Sequence, residues 1–234
     1  MVTLKGTDIA RMIDISAVRS NSDEASIVTL TRYARKYHFL VVETLPSMTP
    51  LARDLLRDAP EVKIGGNVGF PSGGQTTRIK VAEAQELIRL GCTELDVVIN
   101  IGKLISGWRA EVRDDLRAVV EAAGGALVKI ILECHYLTDD QIRTGCDLCI
   151  EAGADFVKTG TGWTPTGATL ENIALIKSQV GDAIGVKASG QVRGLETLVE
   201  MYRRGARRFG IGLQHATKIV DQVAAMPGGQ VTID

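Results

Sequence analysis

The feature that most restricts the fold of this chain is a short junction that occurs three times, at residues 91–96 (GCTELD), 153–158 (GADFVK) and 205–210 (GARRFG). Each junction follows a stretch with apolar residues three or four positions apart, which is typical of an amphipathic helix. The glycine suits the left-handed position that ends many helices, and a β-like run begins shortly after it. The pattern predicts a short helix-to-strand loop used repeatedly along the chain.

Eight β-like runs follow one another along the sequence, and helical segments separate most of them. The runs lie at residues 12–16, 39–43, 63–68, 94–99, 127–133, 155–159, 184–188 and 208–211. Their starts are spaced by about 25 to 35 residues, and no linker rich in proline, serine or charge lies between them. This spacing indicates a repeated βα unit. We therefore predict an α/β fold, a single (β/α)8 TIM-barrel domain over residues 1–234. The alternative is a doubly wound open sheet, but no G-x-G-x-x-G follows the first strand.

Composition narrows the class of partner. The 234 residues are 45% hydrophobic and carry a formal net charge of −1. A near-neutral balance argues against nucleic acid, because binding to phosphate backbones usually leaves a clustered basic surplus. No apolar run approaches the roughly 20 residues of a bilayer span, and the start of the chain lacks the pattern of a signal peptide. We expect a cytoplasmic protein with a small-molecule partner and no membrane partner; a homo-oligomer is left open.

The four cysteines do not form a disulfide framework in a chain of this size. Cys146 and Cys149 make a C-x-x-C motif, which in other settings binds metal or performs redox chemistry. Residues 138–141 (TDDQ) resemble a capping box, so the predicted helix starts near Asp139 and both cysteines fall in its middle. We expect them to be small buried side chains.

Two lysines, Lys158 and Lys187, close predicted strands. A charged amine at the end of a buried strand is costly unless it has a use. Strand alternation lets both side chains point into the barrel from strands about 4.8 Å apart. Repulsion between the two ammonium groups, together with desolvation, should make one lysine a neutral nucleophile at physiological pH. The alternative is that each lysine is solvated or paired with a carboxylate.

Other polar residues share the end of the barrel where chemistry takes place in such folds. They are Asp14 on the first strand, Asp96 and Asn100 at the fourth, and Glu133 at the fifth. Asp96 lies in an apolar run and therefore needs a partner. Lys63 and Lys129 lie nearer the starts of their strands, and we assign them no role.

Three segments carry a resemblance to a known family. Residues 95–102 (LDVVINIG), 156–162 (FVKTGTG) and 185–190 (GVKASG), in this order, resemble the signature blocks of the class I deoxyribose-phosphate aldolase family. Supporting blocks are residues 68–73 (VGFPSG), 131–134 (ILEC) and 153–155 (GAD). The resemblance is strong from about residue 60 to residue 215 and weak before that. It implies a TIM barrel with aldehyde-lyase activity in carbohydrate metabolism.

The resemblance also implies roles. In that family the first lysine forms a Schiff base with the substrate aldehyde, which places this role on Lys158; Lys187 would tune its pKa and assist proton transfer, and Asp96 would join the proton relay. The implied reaction is reversible cleavage of a 2-deoxy aldose phosphate, of the 2-deoxyribose 5-phosphate type, to acetaldehyde and an aldehyde phosphate, with no cofactor. A metal-dependent aldolase would need clustered imidazoles. The three histidines do not fit: His38 belongs at the opposite end of the barrel, and His135 and His215 are expected to be surface or hydrogen-bonded residues.

Substrate and phosphate binding fall, by the same resemblance, to Asp14, Thr159, Thr161, Gly162, Ser189, Gly190, Gln191, Gly210 and Gly212. The chain departs from the family here: Gln191 follows Gly190 where a second glycine is usual, and Leu213 follows Gly212 where Ser-Ser or Thr-Ser is usual. Loss of a close-approach glycine and of hydroxyl donors weakens a phosphate cradle. We therefore expect a weaker preference for phosphorylated aldehydes.

Two further departures concern the strands. Glu43 stands in a segment where the family commonly has cysteine, and Gly160 replaces a usual serine.

Three functions remain open beside the leading one. They are an aldolase with an altered or unphosphorylated substrate, a phosphosugar isomerase or epimerase that uses a carboxylate base, and a non-catalytic metabolite-binding barrel whose lysines are ion-pair partners.

Overall fold

The computed structural model describes residues 1–233 and contains a closed barrel of eight parallel strands. Residues 1–233 contain ten strands, of which β2 to β9 form the barrel: β1 (Val2–Lys5), β2 (Ile13–Ala17), β3 (Val41–Thr44), β4 (Lys63–Val68), β5 (Glu94–Val98), β6 (Leu127–Ile131), β7 (Phe156–Lys158), β8 (Gly185–Ser189), β9 (Arg208–Gly212) and β10 (Gln230–Ile233). β2 to β9 pair in chain order, and β9 closes the barrel on β2. The predicted TIM barrel is confirmed, and each of the eight predicted runs overlaps one barrel strand.

Helices connect the strands and surround the barrel. They are α1 (Gly6–Ala10), α2 (Glu24–Tyr37), α3 (Thr49–Leu55), α4 (Thr77–Arg89), α5 (Ile101–Ile105), α6 (Arg109–Ala122), α7 (Asp139–Ala152), α8 (Leu170–Val180), α9 (Leu195–Arg203) and α10 (Leu213–Ala224). The predicted capping box is present at the start of α7, where the Thr138 hydroxyl accepts a hydrogen bond from the Gln141 N–H. The junction glycines Gly91, Gly153 and Gly205 have φ values of 102°, 83° and 106°. The left-handed conformation predicted at these junctions is confirmed.

An antiparallel ribbon of β1 and β10 lies outside the barrel sheet. It pairs Val2 with Ile233 and Lys5 with Gln230. Beside it, α1 packs against α10. The sequence did not predict this ribbon, because two four-residue segments at opposite ends of the chain give almost no local signal.

The two faces of the barrel strands differ in chemistry. Outward-facing residues such as Leu95, Ile130 and Val157 are fully buried against the surrounding helices and form the apolar core. Several of the residues that alternate with them, such as Asp96 and Lys129, point to the barrel axis and are charged. The barrel interior is therefore a site for polar chemistry, enclosed by an apolar shell.

The four cysteines are free and buried. Burial raises the pKa of the Cys146 thiol to about 12, and it also raises the pKa of Cys149. Both lie within α7, as expected of small buried side chains. Among the helices of residues 1–233, none is long and apolar enough to cross a membrane.

Candidate active site

Eight buried charged side chains meet inside the barrel, and we call them the charge cluster. They are the acids Asp14, Glu43, Glu94 and Asp96 and the bases Lys129, Lys158, Lys187 and Arg208. Removing an ion from water costs several kcal/mol unless partners compensate. The equal numbers of acids and bases meet this requirement, because every member has an opposite charge within ion-pair distance.

Asp96 is the hub of the charge cluster. Its Oδ2 accepts hydrogen bonds from Lys158 Nζ at 2.6 Å and Lys187 Nζ at 2.7 Å, and its Oδ1 accepts one from Lys129 Nζ at 2.9 Å. Burial would raise the pKa of Asp96, but the three lysines outweigh it and hold that pKa well below its usual value. Asp96 is thus an anion that fixes both predicted catalytic lysines through one oxygen.

Lys158 and Lys187 occupy register positions directly opposite each other on β7 and β8. The proximity predicted from strand alternation is confirmed. Burial is the largest cause that lowers the pKa of Lys158, and the Lys187 ammonium lowers it further, whereas Asp96 acts in the opposite direction. Sequence analysis predicted repulsion between the two lysines, assisted by desolvation. In the structure, desolvation lowers the pKa of Lys158 more than the repulsion does.

Lys187 also contacts Asp14, with Nζ 2.6 Å from Oδ2, and the other oxygen of Asp14 accepts a hydrogen bond from Arg208 at 2.8 Å. Burial would raise the pKa of Asp14, but Lys187, Lys129 and Arg208 outweigh it and lower that pKa. Lys187 is therefore held by two carboxylates, those of Asp14 and Asp96.

Lys129, to which the sequence analysis assigned no role, belongs to the charge cluster. Lys129 is fully buried, with Nζ 2.8 Å from Glu94 and 2.9 Å from Asp96. It lies opposite Asp96 in the strand register, and a lysine side chain is long enough to reach up the barrel axis from there. Lys63 has a 43% exposed side chain and pairs with Glu94 at 3.0 Å. Both lysines lie nearer the starts of their predicted strands, so position along the strand alone does not separate the buried Lys129 from the half-exposed Lys63.

Four members of this interior were not selected from the sequence: Glu43, Glu94, Arg208 and the neighbouring amide of Asn67. Arg208 donates hydrogen bonds to Asp14 and Glu94. Each of the four alternates with apolar or small residues on its strand, so the period of two was the signal that could have identified them.

A cavity of about 760 Å³ opens above the charge cluster at the carboxyl ends of the strands. Of the predicted site residues, it is lined by Asp14, Lys158, Lys187, Thr161, Gly162, Ser189, Gly190, Gln191, Gly210 and Gly212. Asp96 is not part of the lining and acts beneath the two lysines. The arrangement places two lysine amines at the floor of a cavity of suitable size for a small metabolite.

Thr159 is not in the cavity wall, contrary to its predicted role in substrate binding. It is fully buried, and its hydroxyl donates to the Ser189 carbonyl at 2.8 Å and accepts from the Ser189 N–H at 2.9 Å. Its side chain therefore ties β7 to β8 and holds the two lysine strands in register. The threonine follows Lys158 directly, so strand alternation turns it away from the axis.

The loops after β7 and β8 pack closely. Gly190 has φ of 84°, and its Cα faces Gly167 so closely that a Cβ on Gly167 would overlap the Gly190 backbone. Gln191 also has a positive φ, 69°, and its amide donates to the Pro165 carbonyl at 3.0 Å. Gln191 thus braces the loop of Thr161 and Gly162.

Glu133 and Asn100, which the sequence placed at the catalytic end, serve loop structure. Glu133 accepts hydrogen bonds from the Thr161 hydroxyl and the Thr164 hydroxyl. A Cβ at Gly160 would lie 2.7 Å from a Glu133 oxygen, so this glycine leaves room for the carboxylate. Asn100 caps α5 by accepting from the Lys103 N–H at 3.1 Å.

The histidines lie where the sequence predicted. His38 ends α2 before β3, at the amino end of the barrel strands. His135 is exposed and hydrogen-bonded to the Thr166 hydroxyl at 2.6 Å, and His215 is exposed at the cavity rim. Among residues 1–233, no three His, Cys, Asp or Glu side chains are grouped to hold a metal ion.

Aromatic and arginine side chains form the cavity mouth, which sequence reasoning did not select. The Arg19 guanidinium lies 5.5 Å from the ring centre of Trp163 and donates to the Gly162 carbonyl at 2.8 Å. Trp163 contacts Phe70 edge to face and donates from Nε1 to the Val18 carbonyl at 3.2 Å. These loop residues reach the mouth from three βα loops, far apart in sequence.

A parallel (β/α)8 barrel that holds a buried lysine beside a second lysine and a buried aspartate contains the groups that an aldolase working through a lysine amine needs. The sequence profile described as DeoC/LacD family aldolase matches residues 11–215. The chain belongs to this family and is an aldolase, a lyase.

Named relatives agree with this assignment. The deoxyribose-phosphate aldolase of Sinorhizobium medicae (strain WSM419) is 47% identical over 231 residues, covering 99% of this chain and 93% of the relative. That of Klebsiella pneumoniae subsp. pneumoniae is 44% identical over 220 residues, covering 93% and 88%. A putative deoxyribose-phosphate aldolase from Coccidioides immitis superposes with a TM-score of 0.89 at 35% identity, covering 95% of this chain and 88% of the other. The tetrameric deoxyribose phosphate aldolase of Aeropyrum pernix superposes with a TM-score of 0.85 at 30% identity, covering 94% and 92%.

Proposed function

We propose that this chain reversibly cleaves 2-deoxyribose 5-phosphate, or a closely similar 2-deoxy aldose phosphate, to acetaldehyde and an aldehyde phosphate through a Schiff base on Lys158. The observation that supports this most is the shared aspartate oxygen: Lys158 and Lys187 both contact Asp96 Oδ2, at 2.6 and 2.7 Å. Burial lowers the pKa of Lys158, and its side chain lines the cavity, so we assign the nucleophile to Lys158.

In the proposed mechanism, the Lys158 amine attacks the substrate carbonyl, and loss of water gives a protonated imine. The imine accepts the electron pair of the breaking carbon–carbon bond, which leaves an enamine that is protonated and hydrolysed to acetaldehyde. We assign the transfer of the substrate hydroxyl proton to Lys187 and Asp96. Lys187 lines the cavity and Asp96 lies directly beneath it, 2.7 Å from its Nζ.

For the phosphate we propose the rim near Gly190, Gly212 and the start of α10. Gly212 precedes α10, whose amino end has no side-chain cap, and exposed helix N–H groups attract anions. Arg193 also lines this rim. Leu213 offers no hydroxyl, so the proposal includes a weaker preference for phosphorylated over unphosphorylated aldehydes than a rim with serine or threonine would give.

The remaining alternatives have less support. An isomerase or epimerase would not need the paired lysines, and a non-catalytic barrel would not need a cavity that ends on a desolvated amine.

We also infer a homo-oligomer in the cytoplasm; the relative from Aeropyrum pernix is described as a tetramer.

The test is reductive trapping. With acetaldehyde and borohydride, the wild-type chain should gain one reduced two-carbon unit by intact mass, and peptide analysis should locate it on Lys158. Lys158→Ala should remove the adduct, whereas the control Lys63→Ala, which changes a half-exposed strand lysine, should retain it. An adduct on Lys187 or Lys129, or none with any carbonyl compound, would refute the assignment.

A further inference from the structure

Glu43 is the member of the charge cluster with the least compensated charge. Its Oε1 lies 3.7 Å from Lys187 Nζ and 3.8 Å from Lys129 Nζ, and its other oxygen accepts a long 3.4 Å hydrogen bond from Asn67. Within residues 1–233, nothing donates a hydrogen bond to Oε1. The side chain is 3% exposed and lines the cavity beside the two lysines.

The other three acids of the cluster have much closer partners. Asp14 has cations at 2.6 and 2.8 Å, Glu94 at 2.6 and 2.8 Å, and Asp96 at 2.6, 2.7 and 2.9 Å. A charge-assisted hydrogen bond is shorter and about twice as strong as a neutral one. Among these acids, Glu43 is therefore the one whose negative charge is least stabilised and whose protonation costs least.

The fold accommodates the Glu43 carboxyl group specifically. Gly65 lies opposite Glu43 in the register of β3 and β4, and a Cβ at Gly65 would overlap the carboxyl group. Asn67, two residues further on the same strand, contacts the same group and also donates to the Thr44 carbonyl at 3.0 Å. Glycine and asparagine at these positions keep the carboxyl group inside the barrel next to Lys187.

Charge balance then bears on the proposed reaction. With all members ionised, the four acids and four bases of the cluster cancel. Imine formation requires Lys158 as a neutral amine, which would leave one uncompensated negative charge in a buried site. A neutral Glu43 removes that excess.

Resting on the proposed Schiff-base function, we propose that Glu43 stores one proton for the active site: it is a neutral carboxylic acid while Lys158 is a free amine, and it becomes a carboxylate as the imine forms. Amine, aldehyde and one proton give a protonated imine and water. The proton comes from Glu43, and Lys158 regains a positive charge as Glu43 becomes negative, so the cluster stays neutral. Glu43 acts through Lys187, which contacts it and hydrogen-bonds to Asp96, and so it is a supporting residue.

The protonation behaviour of Glu43 agrees with this geometry. Burial, followed by the negative charge of Asp96, raises the pKa of Glu43 to about 7, against the opposing effects of Lys187 and Lys129. The ionisable groups that interact with Glu43 from the surrounding strands and loops are Asp14, Asp96, Lys129, Lys158, Lys187 and Cys92. An ionised Glu43 raises the pKa of Lys158, so ionisation of Glu43 and protonation of Lys158 are coupled.

The experiment measures the pH dependence of reductive trapping with acetaldehyde and cyanoborohydride, followed by intact mass on the full chain between pH 5 and 9. In Glu43→Gln the carboxylate that holds the proton on Lys158 is absent, so the acidic limb of the labelling rate should move about one pH unit lower. The plateau should fall about tenfold because the proton donor is lost. Glu43→Asp should restore part of both effects.

Two further variants separate this role from a structural one. Gly65→Ala leaves Glu43 in the sequence but displaces its carboxyl group, and should shift the limb in the same direction as Glu43→Gln. Glu94→Gln removes another carboxylate that contacts Lys129 and should leave the limb position unchanged, whatever its rate. An unmoved limb in Glu43→Gln, or an equal shift in Glu94→Gln, overturns the inference while wild-type labelling upholds the Schiff base. A wild-type chain that is never labelled overturns both.

Discussion

The floor and the mouth of the cavity differ in what holds their side chains in place. At the floor, Lys158, Lys187 and Asp96 come from barrel strands and are joined by contacts of 2.6 and 2.7 Å within the protein interior. At the mouth, Arg19 and Trp163 come from loops and bond mainly to backbone carbonyl groups. Strand register therefore fixes the chemistry, whereas loop packing shapes access and recognition. Departures from the family at the rim can change the substrate without disturbing the proposed imine site.

The largest effect should come from the hub of the floor. Asp96→Asn removes the negative charge that Lys158 and Lys187 share, and the rate should fall about 10²- to 10⁴-fold. Leaving buried lysines without their partner should also reduce stability by about 3–5 kcal/mol. Steady-state kinetics and thermal melting measure the two effects separately.

Asp115→Asn is the matched control for Asp96→Asn. Asp115 forms a buried pair with Lys80 at 2.7 Å, between α6 and α4 and away from the cavity. This variant should lower the melting temperature but retain the rate per folded molecule. If it loses as much rate as Asp96→Asn, the special position of the floor is refuted.

Lys187 provides the second test of the floor. The Lys187 ammonium lowers the pKa of Lys158, so Lys187→Met should reduce the rate and move the acidic limb of kcat/KM to higher pH, by about one unit. Lys187→Arg keeps the charge on a bulkier, rigid group, so the rate should fall with little change of the limb. Circular dichroism first checks that both variants fold. Near-normal activity with an unshifted limb in Lys187→Met would mean that burial alone activates Lys158.

The sequence predicted the features that depend on local periodicity, and it did not predict those that depend on contacts between residues far apart in the chain. The barrel and the lysine pair followed from local periodicity, because strand alternation fixes which side chains share the axis. Lys129 was assigned no role and Glu43 was not selected, since their surroundings are set by hydrogen bonds and ion pairs with residues at least 24 positions away. Thr159 was predicted to bind substrate because it follows Lys158 in a motif of the family, although strand alternation turns its side chain outward to Ser189.

The mouth was the least predictable part. Arg19 and Trp163 are 144 positions apart in the sequence, and their contact depends on two loop conformations. The terminal ribbon was missed for the same physical reason: its strands are paired by the closed fold and not by any local preference. Local sequence patterns thus predicted the side chains that the barrel strands direct to the axis, whereas the cavity mouth and the terminal ribbon depend on tertiary packing.

At the rim, Leu213→Ser tests whether lost hydroxyl groups weaken phosphate recognition. A hydroxyl at the start of α10 should restore one charge-assisted hydrogen bond, worth about 1.5–3 kcal/mol. The ratio of kcat/KM for glyceraldehyde 3-phosphate to that for glyceraldehyde should therefore rise about ten- to a hundredfold, measured in the synthetic direction with acetaldehyde. Leu213→Ala removes the bulk without adding a donor and should leave the ratio within a few-fold of wild type. If both variants raise it equally, steric relief rather than hydrogen bonding controls the rim.

The smallest effect should come from the mouth, through Trp163→Phe. Phenylalanine keeps an aromatic contact with Phe70 but loses the hydrogen bond from Nε1 to the Val18 carbonyl, a net loss of about 0.5–1.5 kcal/mol. Because Trp163 is 37% exposed and lies at the cavity mouth, KM should rise a few-fold while kcat and the acidic limb stay unchanged. Trp108→Phe, which changes the other tryptophan at the start of α6, is the control and should alter neither constant. The same control leaves Trp163 as the sole tryptophan, so its fluorescence should respond to saturation with substrate. A fall in kcat in Trp163→Phe as large as the rise in KM would show that the mouth and the floor are coupled, and the division between them would then fail.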